Sequence, residues 1–315
     1  MRAFVFPGQG AQTIGMGREL AQAYPSARAV FDAVDQALGE DLSGLIWEGD
    51  AETLTLTRNA QPALMATSIA ALRALEAEGV SVARDAAFVA GHSLGEYSAL
   101  VAAGALELGD AARLLRTRGE AMQAAVPPGA GAMAALLGLD IDAVRAVAEE
   151  AAQGEVCTAA NDNDPAQVVV SGDRAAVERA VEIAKARGAK RAVMLPVSAP
   201  FHCRLMEPAA RAMAEALDDV EIARPVVPVV ANVEAAPVSQ PATLRSLLVE
   251  QVQGAVRWRE SVARMAADGV TEIWEIGAGK ALSGMVRRID KSVATRAIGT
   301  PAEVADAAAT LKGQG

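Results

Sequence analysis

Ser93 lies in the segment Gly91-His92-Ser93-Leu94-Gly95, whose Gly-x-Ser-x-Gly pattern is typical of a nucleophilic serine. An apolar run over residues 86–90 precedes the segment, and a helical pattern over residues 96–103 follows it and ends at Gly104. This order predicts a strand, a tight turn and a helix, with the serine hydroxyl exposed. The helix N-terminus would supply free N–H groups that stabilise an oxyanion. The alternative is an ordinary glycine-flanked turn with a capping serine.

A general base for Ser93 has to come from one of the two histidines in the chain, His92 and His202. The side chain of His92 should leave the turn in another direction, because this residue directly precedes the serine. His202 lies in a loop before a predicted helix over residues 205–217 and is the better candidate. The alternative for His202 is a solvated or locally hydrogen-bonded loop histidine.

Arg118 lies on the apolar stripe of a helix predicted over residues 110–125, with Asp110 as its N-cap. A guanidinium group on a core-facing stripe needs an anionic partner. One possible partner is a buried acid in a structural ion pair, and another is a substrate carboxylate that accepts two hydrogen bonds from the guanidinium. The remaining alternative is that the side chain extends to the surface and its charge is solvated by water. Arg113 and Arg116 are expected to point away from the stripe.

The composition disfavours several classes of function. The 315 residues carry a formal net charge of −10, which argues against general nucleic-acid binding. Cys157 and Cys203 are too few for a disulfide framework or a Cys-rich metal site, so we expect buried thiols and no bound metal. No apolar run reaches the roughly 18–20 residues of a membrane span, and the first residues do not resemble a signal peptide. We therefore expect a cytoplasmic protein without a membrane partner.

Two glycine-rich segments fail as nucleotide-binding motifs. Gly8-x-Gly10 lacks the third glycine of the dinucleotide fingerprint, since position 13 is Thr. Gly277-Ala278-Gly279-Lys280 lacks the first glycine of a phosphate loop and the Ser or Thr that should follow its lysine. No nucleotide cofactor is indicated. The first segment follows a predicted strand over residues 3–6, so its glycines let backbone N–H groups approach a ligand.

The elements that position Ser93 and His202 are predicted to lie on either side of an insertion over residues 129–196. This stretch has the order β-α-β-β-α-β of a ferredoxin-like arrangement. Pro127-Pro128-Gly129 and Pro196 mark its limits, so residues 1–128 and 197–315 would form one larger α/β domain. Its strands are predicted over residues 132–137, 156–160, 167–171 and 191–195, with a turn at 161–165, and its helices over residues 141–152 and 174–187.

Other elements follow from the same patterns. A helix is predicted over residues 63–78. The helical pattern is interrupted over residues 59–62, and Pro62 is suited to the first turn of the helix that follows. Core strands are predicted over residues 226–231 and 272–276, with a helical stretch over 244–268 between them and a disordered tail at 312–315.

Five features resemble, in order and spacing, the malonyl-CoA:acyl carrier protein transacylases of bacterial type II fatty acid synthesis. They are Phe6-Pro7-Gly8-Gln9-Gly10-Ala11-Gln12, Gly91-His92-Ser93-Leu94-Gly95-Glu96-Tyr97, Arg118, Pro200-Phe201-His202-Cys203 and Gln251. The resemblance extends from about residue 4 to residue 288. It implies an α/β-hydrolase-like core, an inserted ferredoxin-like subdomain and an active site in the cleft between them.

The resemblance also implies roles for single residues. Ser93 would be the nucleophile, His202 the base, and the backbone amides of Gln9 and Leu94 the oxyanion hole. Arg118 would bind the malonyl carboxylate, and Gln251 would support His202 through its backbone carbonyl. No acidic residue is obviously placed as a third triad member. The implied substrate-binding residues are Arg118, Gln251, Phe201, Gln61 and Asn161. The Phe201 ring would crowd an α-methyl group.

The function implied is transfer of a malonyl group from malonyl-CoA to the phosphopantetheine thiol of acyl carrier protein, by a monomer without a permanently bound cofactor. A polyketide malonyltransferase, a serine esterase or thioesterase, and a non-catalytic interaction module are the alternatives. The carrier would dock on a local basic cluster, for which there are two candidates. These are Lys185, Arg187, Lys190 and Arg191, and Arg287, Arg288 and Lys291.

Overall fold

A computed structural model gives the structure of residues 1–197 and 199–313. Within these residues, ten strands form two sheets. The strands are β1 (Arg2–Phe6), β2 (Phe88–Gly91), β3 (Gly131–Leu137), β4 (Cys157–Asp164), β5 (Gln167–Asp173), β6 (Arg191–Met194), β7 (Val229–Ala231), β8 (Ala236–Val238), β9 (Glu272–Ile276) and β10 (Ala294–Ile298).

Helices cover both faces of the first sheet and one face of the second. They are α1 (Arg18–Ala23), α2 (Pro25–Leu38), α3 (Leu42–Glu48), α4 (Ala51–Thr55), α5 (Thr57–Ala77), α6 (Val82–Asp85), α7 (Gly95–Ala102), α8 (Leu108–Ala124), α9 (Ile141–Ala152), α10 (Arg174–Ala186), α11 (Glu207–Asp218), α12 (Pro241–Gln251), α13 (Trp258–Ala267), α14 (Ala281–Ile289) and α15 (Pro301–Lys312). None of these helices is long and apolar enough to cross a membrane. The predicted disordered tail is wrong at Lys312, which ends α15, and residues 314–315 lie outside the described part of the chain.

The first sheet has the order β10-β9-β1-β2-β7-β8 and is parallel except for β8, which runs antiparallel to β7. β1 is buried on both faces, because Phe4 and Phe6 pack into one apolar cluster and Ala3 and Val5 into another. Trp274 of β9 stacks on Phe4 with ring centroids 5.3 Å apart. Because β1, β2 and β7 are neighbouring parallel strands, their carboxyl ends meet at one edge of the sheet.

The second sheet is antiparallel and has the order β4-β5-β3-β6. Its chain order, β3-α9-β4-β5-α10-β6, contains the six elements predicted between residues 129 and 196. Ala134 and Leu136 of β3 pack with α9 and α10 in a separate apolar cluster, whereas Met133 and Ala135 join the main cluster. Successive residues of a strand point to opposite faces, so β3 attaches the second sheet to the rest of the molecule.

The helix predicted to begin at Pro62 begins earlier. α5 includes the predicted break over residues 59–62, and Pro62 lies inside it. Helix α8 packs closely on this first turn, where a Cβ added at Gly119 would lie 2.5 Å from Arg58 Cα. Tertiary packing therefore stabilises a turn that the proline, which has no N–H to donate, disfavours.

The turn predicted over residues 161–165 begins too early. Residues 161–164 belong to β4, and the chain turns at residues 165–166. The Asn and Asp composition of this segment favours a turn in isolation. The strand continues because Asp162, Asn163 and Asp164 find side-chain partners elsewhere in the molecule. The buried carboxylate of Asp164, for example, lies 2.8 Å from Arg288 of α14.

Three elements near the carboxyl end differ from the sequence-based prediction. The helical stretch over residues 244–268 is two helices, α12 and α13, and the strand over residues 226–231 is shortened to β7. Strands β8 and β10 and helix α15 were not predicted. A signal for α15 exists in the sequence, because Thr300 and Glu303 form a capping box at its N-terminus.

Candidate active site

The turn that carries Ser93 joins β2 to α7 and is built on close backbone contacts. A Cβ at Gly91 would lie 1.9 Å from the Gly95 carbonyl group, and a Cβ at Gly95 would lie 2.3 Å from Phe6 O, so neither position can accept a side chain. Ser93 itself has a φ of +52°, which is unusual for a residue other than glycine. The predicted strand, turn and helix are confirmed, with the helix ending before Gly104.

His202 is the histidine that reaches Ser93. Its Nε2 lies 2.8 Å from Ser93 Oγ. Its Nδ1 lies 2.9 Å from the carbonyl oxygen of Gln251 and 3.1 Å from that of Gly254, so Nδ1 carries the proton and Nε2 accepts one from the serine. Burial, with a smaller contribution from Arg118, lowers the pKa of His202 to about 3, which keeps the imidazole neutral and able to act as a base. Two backbone carbonyls thus occupy the position of a triad carboxylate.

His92 points elsewhere, as predicted. Its Nε2 lies 2.8 Å from Asn163 Oδ1 in β4, and burial lowers the pKa of its ring. The two histidines are therefore both neutral, and His202 is the one hydrogen-bonded to the serine.

Arg118 reaches Ser93 from helix α8 and is 1% exposed. Its Nη2 donates to Ser93 Oγ at 3.1 Å and to Gln251 Oε1 at 2.9 Å, and its Nη1 donates to Gln61 Oε1 at 2.8 Å. Within the described residues no carboxylate forms a salt bridge with it, and its Nε has no partner. An arginine remains protonated even when buried, so its charge is met by neutral groups and is available to an anionic ligand.

The other polar residues of α8 correct two predictions. Asp110 lies in the first turn, and Glu107, not Asp110, is the N-cap residue. Arg113 is exposed as predicted, but Arg116 is buried. Arg116 turns inward because its guanidinium pairs with Glu40 at 2.6 Å and also donates to Asn59.

Two backbone N–H groups beside Ser93 are free to bind a ligand. Neither Gln9 N nor Leu94 N donates a hydrogen bond to any group in residues 1–197 or 199–313. Both residues line the cleft that contains Ser93. The loop after β1 packs on the turn closely enough that a Cβ at Gly8 would lie 2.6 Å from His92 O, and this brings Gln9 next to the serine.

The cleft at Ser93 has a volume of about 430 Å³. Met133 of β3 and Asn161 of β4 contribute to its walls from the second sheet, and the segments that follow β1 and β2 contribute from the first part of the chain. The predicted residues Gln61 and Phe201 also line it. The complete lining is Gln9, Gly10, Gln12, Thr55, Gln61, His92, Ser93, Leu94, Arg118, Met122, Met133, Asn161, Leu195, Pro196, Val197, Phe201 and His202.

Gln251 differs from its predicted role in substrate binding. It is fully buried and is not part of the cleft wall. Its side chain instead contacts Arg118 through Oε1 and donates from Nε2 to Ser93 O at 2.9 Å and to Glu96 at 3.0 Å. Gln251 therefore supports the site from behind, and only its carbonyl contact with His202 agrees with the expectation.

Three polar residues that contact this group were not predicted from the sequence as site residues: Thr57, Glu96 and Asn232. Thr57 links the side chains of Gln61 and Gln9, with hydrogen bonds of 2.9 Å and 3.0 Å. Glu96 is 1% exposed, and burial raises its pKa to about 7. Glu96 was visible in the motif, and Asn232 directly follows a predicted core strand, which is a usual place for site residues in a parallel sheet.

The described residues contain no group of three or more His, Cys, Asp or Glu that is arranged to hold a metal ion. Cys157 and Cys203 are free and buried, as predicted, and burial raises the pKa of the Cys157 thiol to about 11. The chemistry that this arrangement supports on its own is acyl transfer through Ser93, with His202 as base, two backbone N–H groups for an oxyanion and Arg118 for an anionic substrate group.

Comparisons with known proteins agree with this chemistry. The acyl transferase domain family matches residues 3–306. The malonyl CoA-acyl carrier protein transacylase of Bacillus subtilis strain 168 is 49% identical over 311 residues, which cover 98% of this chain and 97% of the relative. The protein of the same name from Escherichia coli K12 is 46% identical over 305 residues, covering 97% and 98%.

Solved structures show the same mixed α/β architecture. The acyl-carrier-protein-S-malonyltransferase of Bartonella henselae has a TM-score of 0.97 and 54% identity and covers 99% of both chains. A type II PKS acyl-carrier protein in complex with its malonyl-transacylase gives a TM-score of 0.95 at 42% identity, covering 98% of this chain and 99% of that one. The chain therefore belongs to the acyl transferase domain family and, within it, to the malonyl CoA-acyl carrier protein transacylases.

Proposed function

We propose that this chain transfers a malonyl group from malonyl-CoA to the phosphopantetheine thiol of an acyl carrier protein through a malonyl ester on Ser93. The observation that carries the proposal is that Ser93 Oγ contacts both His202 Nε2, at 2.8 Å, and Arg118 Nη2, at 3.1 Å. A nucleophile, its base and a buried cation for a carboxylate thus meet at one atom. A hydrolase of neutral esters has no use for such a cation.

The first half-reaction acylates the serine. His202 Nε2 takes the hydroxyl proton, and Ser93 Oγ attacks the thioester carbonyl carbon of malonyl-CoA. The oxyanion accepts hydrogen bonds from Gln9 N and Leu94 N. When the tetrahedral intermediate collapses, the C–S bond breaks, and CoA leaves as a thiol with the proton from His202.

The second half-reaction regenerates the enzyme. The phosphopantetheine thiol enters the cleft, gives its proton to His202 and attacks the malonyl ester. The ester C–O bond then breaks, and Ser93 recovers the proton. The two carbonyls at His202 Nδ1 hold the imidazole in the tautomer that both steps require.

Arg118 selects for the malonyl carboxylate. Its hydrogen bonds in the free enzyme go to neutral oxygens of Gln61, Gln251 and Ser93, so a carboxylate offers it a stronger, charge-assisted partner. Phe201 lines the same cleft, and we expect its ring to crowd an α-methyl group on the substrate. Asn161 and Gln61 line the cleft within reach of the rest of the acyl chain or its thiol arm.

We describe residues 1–128 and 197–315 as an α/β-hydrolase-like core and residues 129–196 as an inserted ferredoxin-like subdomain. The largely parallel sheet with a serine turn after β2 supports the first description. The order β-α-β-β-α-β with an antiparallel sheet supports the second. The monomeric state, the cytoplasmic location and the absence of a permanent cofactor remain predictions.

The carrier would dock through exposed basic residues. In the first predicted cluster, Lys185 pairs with Glu182 and Arg187 with Glu150, which reduces the net charge that they present. Lys190 and Arg191 are exposed. In the second cluster, Arg288 pairs with the buried Asp164. Arg287 and Lys291 of that cluster are exposed and form no salt bridge within the described residues, so they stay docking candidates together with Lys190 and Arg191.

The proposal is tested by mixing the protein with malonyl-CoA in the absence of carrier. A malonyl adduct should appear on the Ser93 peptide in mass spectrometry and should be absent from Ser93→Ala. Addition of holo acyl carrier protein should remove the adduct and place it on the carrier thiol. Release of free malonate at the transfer rate would identify a hydrolase instead. Comparing fatty acid and type II PKS carriers would identify the physiological acceptor.

A further inference from the structure

Asn232 is fully buried and directly follows β7, the strand that lies parallel to β2. The carboxyl ends of the two strands are adjacent, so Asn232 lies beside the turn that carries Ser93. This residue does not line the cleft, and none of the acyl-transfer steps above uses it.

The Asn232 amide bridges the two ends of the serine turn. Its Oδ1 accepts a hydrogen bond from Ser93 N at 2.8 Å, and its Nδ2 donates one to Gly91 O at 2.7 Å. The side chain thus continues the strand pairing past the last residue of β7. Its two hydrogen bonds to the end of β2 and to the turn replace those that a neighbouring strand would make there.

Glu96 and Gln251 complete this support. One carboxylate oxygen of Glu96 accepts from Asn232 N at 2.9 Å and from Gln251 Nε2 at 3.0 Å. Gln251 Nε2 in turn donates to Ser93 O at 2.9 Å. Both backbone polar groups of Ser93 are therefore held by the side chains of two residues, Asn232 and Gln251, that each donate to one buried carboxylate.

We propose that Asn232 is a positioning residue for the nucleophile, which holds the Ser93 backbone in its left-handed conformation so that the hydroxyl faces His202. A φ of +52° is strained for serine, and such a residue relaxes unless surrounding groups hold it. Rotation of the Ser93 backbone would move Oγ away from both His202 and Arg118. The hydrogen bond from Asn232 to Ser93 N opposes that rotation directly.

The position requires an amide. It has to donate to Gly91 O and accept from Ser93 N at the same time, and a carboxylate only accepts. An aspartate of the same shape would face Gly91 O with a negative charge, next to the carboxylate of Glu96. A protonated aspartic acid, in contrast, has both a donor and an acceptor and would mimic the amide.

The proposal rests on the proposed function for its main assay, the single-turnover acylation of Ser93 by malonyl-CoA. Asn232→Ala should lower that rate about 100-fold, because a small misplacement of a nucleophile has an effect of this order. The KM for malonyl-CoA should change little, since Arg118 keeps its hydrogen bonds to Gln61 and Gln251. An alkyl fluorophosphonate serves as a second probe. This reagent labels nucleophilic serines and carries no carboxylate, so its reaction needs no carboxylate contact with Arg118. Its labelling rate should fall in parallel.

Asn232→Asp separates positioning from a general loss of structure. The ratio of its acylation rate to that of the wild-type enzyme should rise at least about tenfold as the pH is lowered from 8 to 5, because protonation restores the donor to Gly91 O. Burial and the neighbouring Glu96 should raise the pKa of the new carboxyl group and bring this change into the accessible range. Arg118 and His202 also face this region, and dividing by the wild-type rate removes their effect.

Asn59→Ala is the matched control. Asn59 is also a buried asparagine whose amide bridges a donor and an acceptor, Arg116 and Thr53 O. It should lower the melting temperature but leave both Ser93 assays within about twofold. Wild-type rates in both Asn232 variants, or a pH-independent loss in Asn232→Asp, would overturn the proposal. If the wild-type enzyme accepts the fluorophosphonate but no malonyl group, the proposed function fails, and the role of Asn232 is still measured by the probe.

Discussion

Ser93 and His202 are hydrogen-bonded at 2.8 Å, and both have the left-handed backbone conformation, with φ values of +52° and +59°. A residue other than glycine in this conformation costs roughly 1–2 kcal/mol. Two such residues in direct contact indicate that the fold sustains local strain to aim the two side chains at each other. They lie 109 positions apart in the chain, with the whole second sheet between them.

Replacing the base should abolish most of the reaction. His202→Ala removes the acceptor for the Ser93 proton, and we expect acylation by malonyl-CoA to slow by about 10²–10⁴-fold. Quenched-flow measurement of the Ser93 adduct gives this rate. His92→Ala is the control, because His92 binds Asn163 instead of Ser93, and its effect should stay within about tenfold. Comparable losses in the two variants would contradict the assignment of the base.

Removing the buried cation should change substrate preference. Arg118→Ala should raise the KM for malonyl-CoA about 30–100-fold through loss of a charge-assisted contact, and should affect acetyl-CoA far less. Steady-state kinetics with both thioesters measures the difference. Arg116→Ala removes a buried arginine of the same helix that pairs with Glu40, so it should reduce stability without changing the preference. Equal effects of Arg118→Ala on the two substrates would refute its role.

Thr57 connects the side chains of Gln61 and Gln9, which belong to the proposed carboxylate and oxyanion sites. Its hydroxyl accepts from Gln61, which binds Arg118, and donates to Gln9 Oε1 at 3.0 Å. Thr57→Val keeps the shape but removes these bonds, so Gln9 should be less well placed. We expect kcat to fall by about tenfold, the value of one net hydrogen bond, with a smaller change in KM. A purely raised KM would show that Gln9 does not depend on Thr57.

The acid limb of the pH–rate profile should lie well below the usual range of a histidine. A base must be neutral, and burial and Arg118 lower the pKa of His202 to about 3, so activity should persist as the pH falls through 6.5. Arg118→Met removes one of the causes that lower this pKa and should shift the acid limb upward. The profile of kcat/KM, extended below pH 4 towards the pKa of about 3, gives both values. An acid limb near pH 6.5 in the wild-type enzyme would contradict a buried, neutral His202.

Glu96 should make stability decrease as the pH rises. Its folded pKa of about 7 lies above its ordinary value of 4.5, so the folded state binds more protons between these values, and its contribution is lost through that window. Between pH 4.5 and 8, the wild-type protein should lose about 3 kcal/mol of unfolding free energy relative to Glu96→Gln. Urea unfolding at several pH values measures the difference. Taking this difference cancels the opposing contribution of His202, whose lowered pKa makes stability fall on acidification.

The elements around the site were predictable where one local pattern sufficed. Helix α9 and strand β9 have the predicted bounds, because their apolar periodicity coincides with the buried face. The first turn of α5 was not predictable, since Pro62 disfavours it and tertiary contacts such as those at Gly119 and Asn59 stabilise it. The strand end at Asp164 was missed for a similar reason, because its partner Arg288 is 124 positions away in the chain.

The sequence by itself determined the turn at Ser93, because Gly91 and Gly95 permit backbone contacts that no other residue allows. It also placed Arg118 on a core-facing stripe and limited the base to His92 or His202. Only the tertiary structure decided that Arg118 is held by neutral amides and that Gln251 lies behind the serine. It alone showed that Asn232, 139 positions away, holds the Ser93 backbone. Such contacts depend on which strand ends become neighbours in the sheet, and local periodicity carries no information about that order.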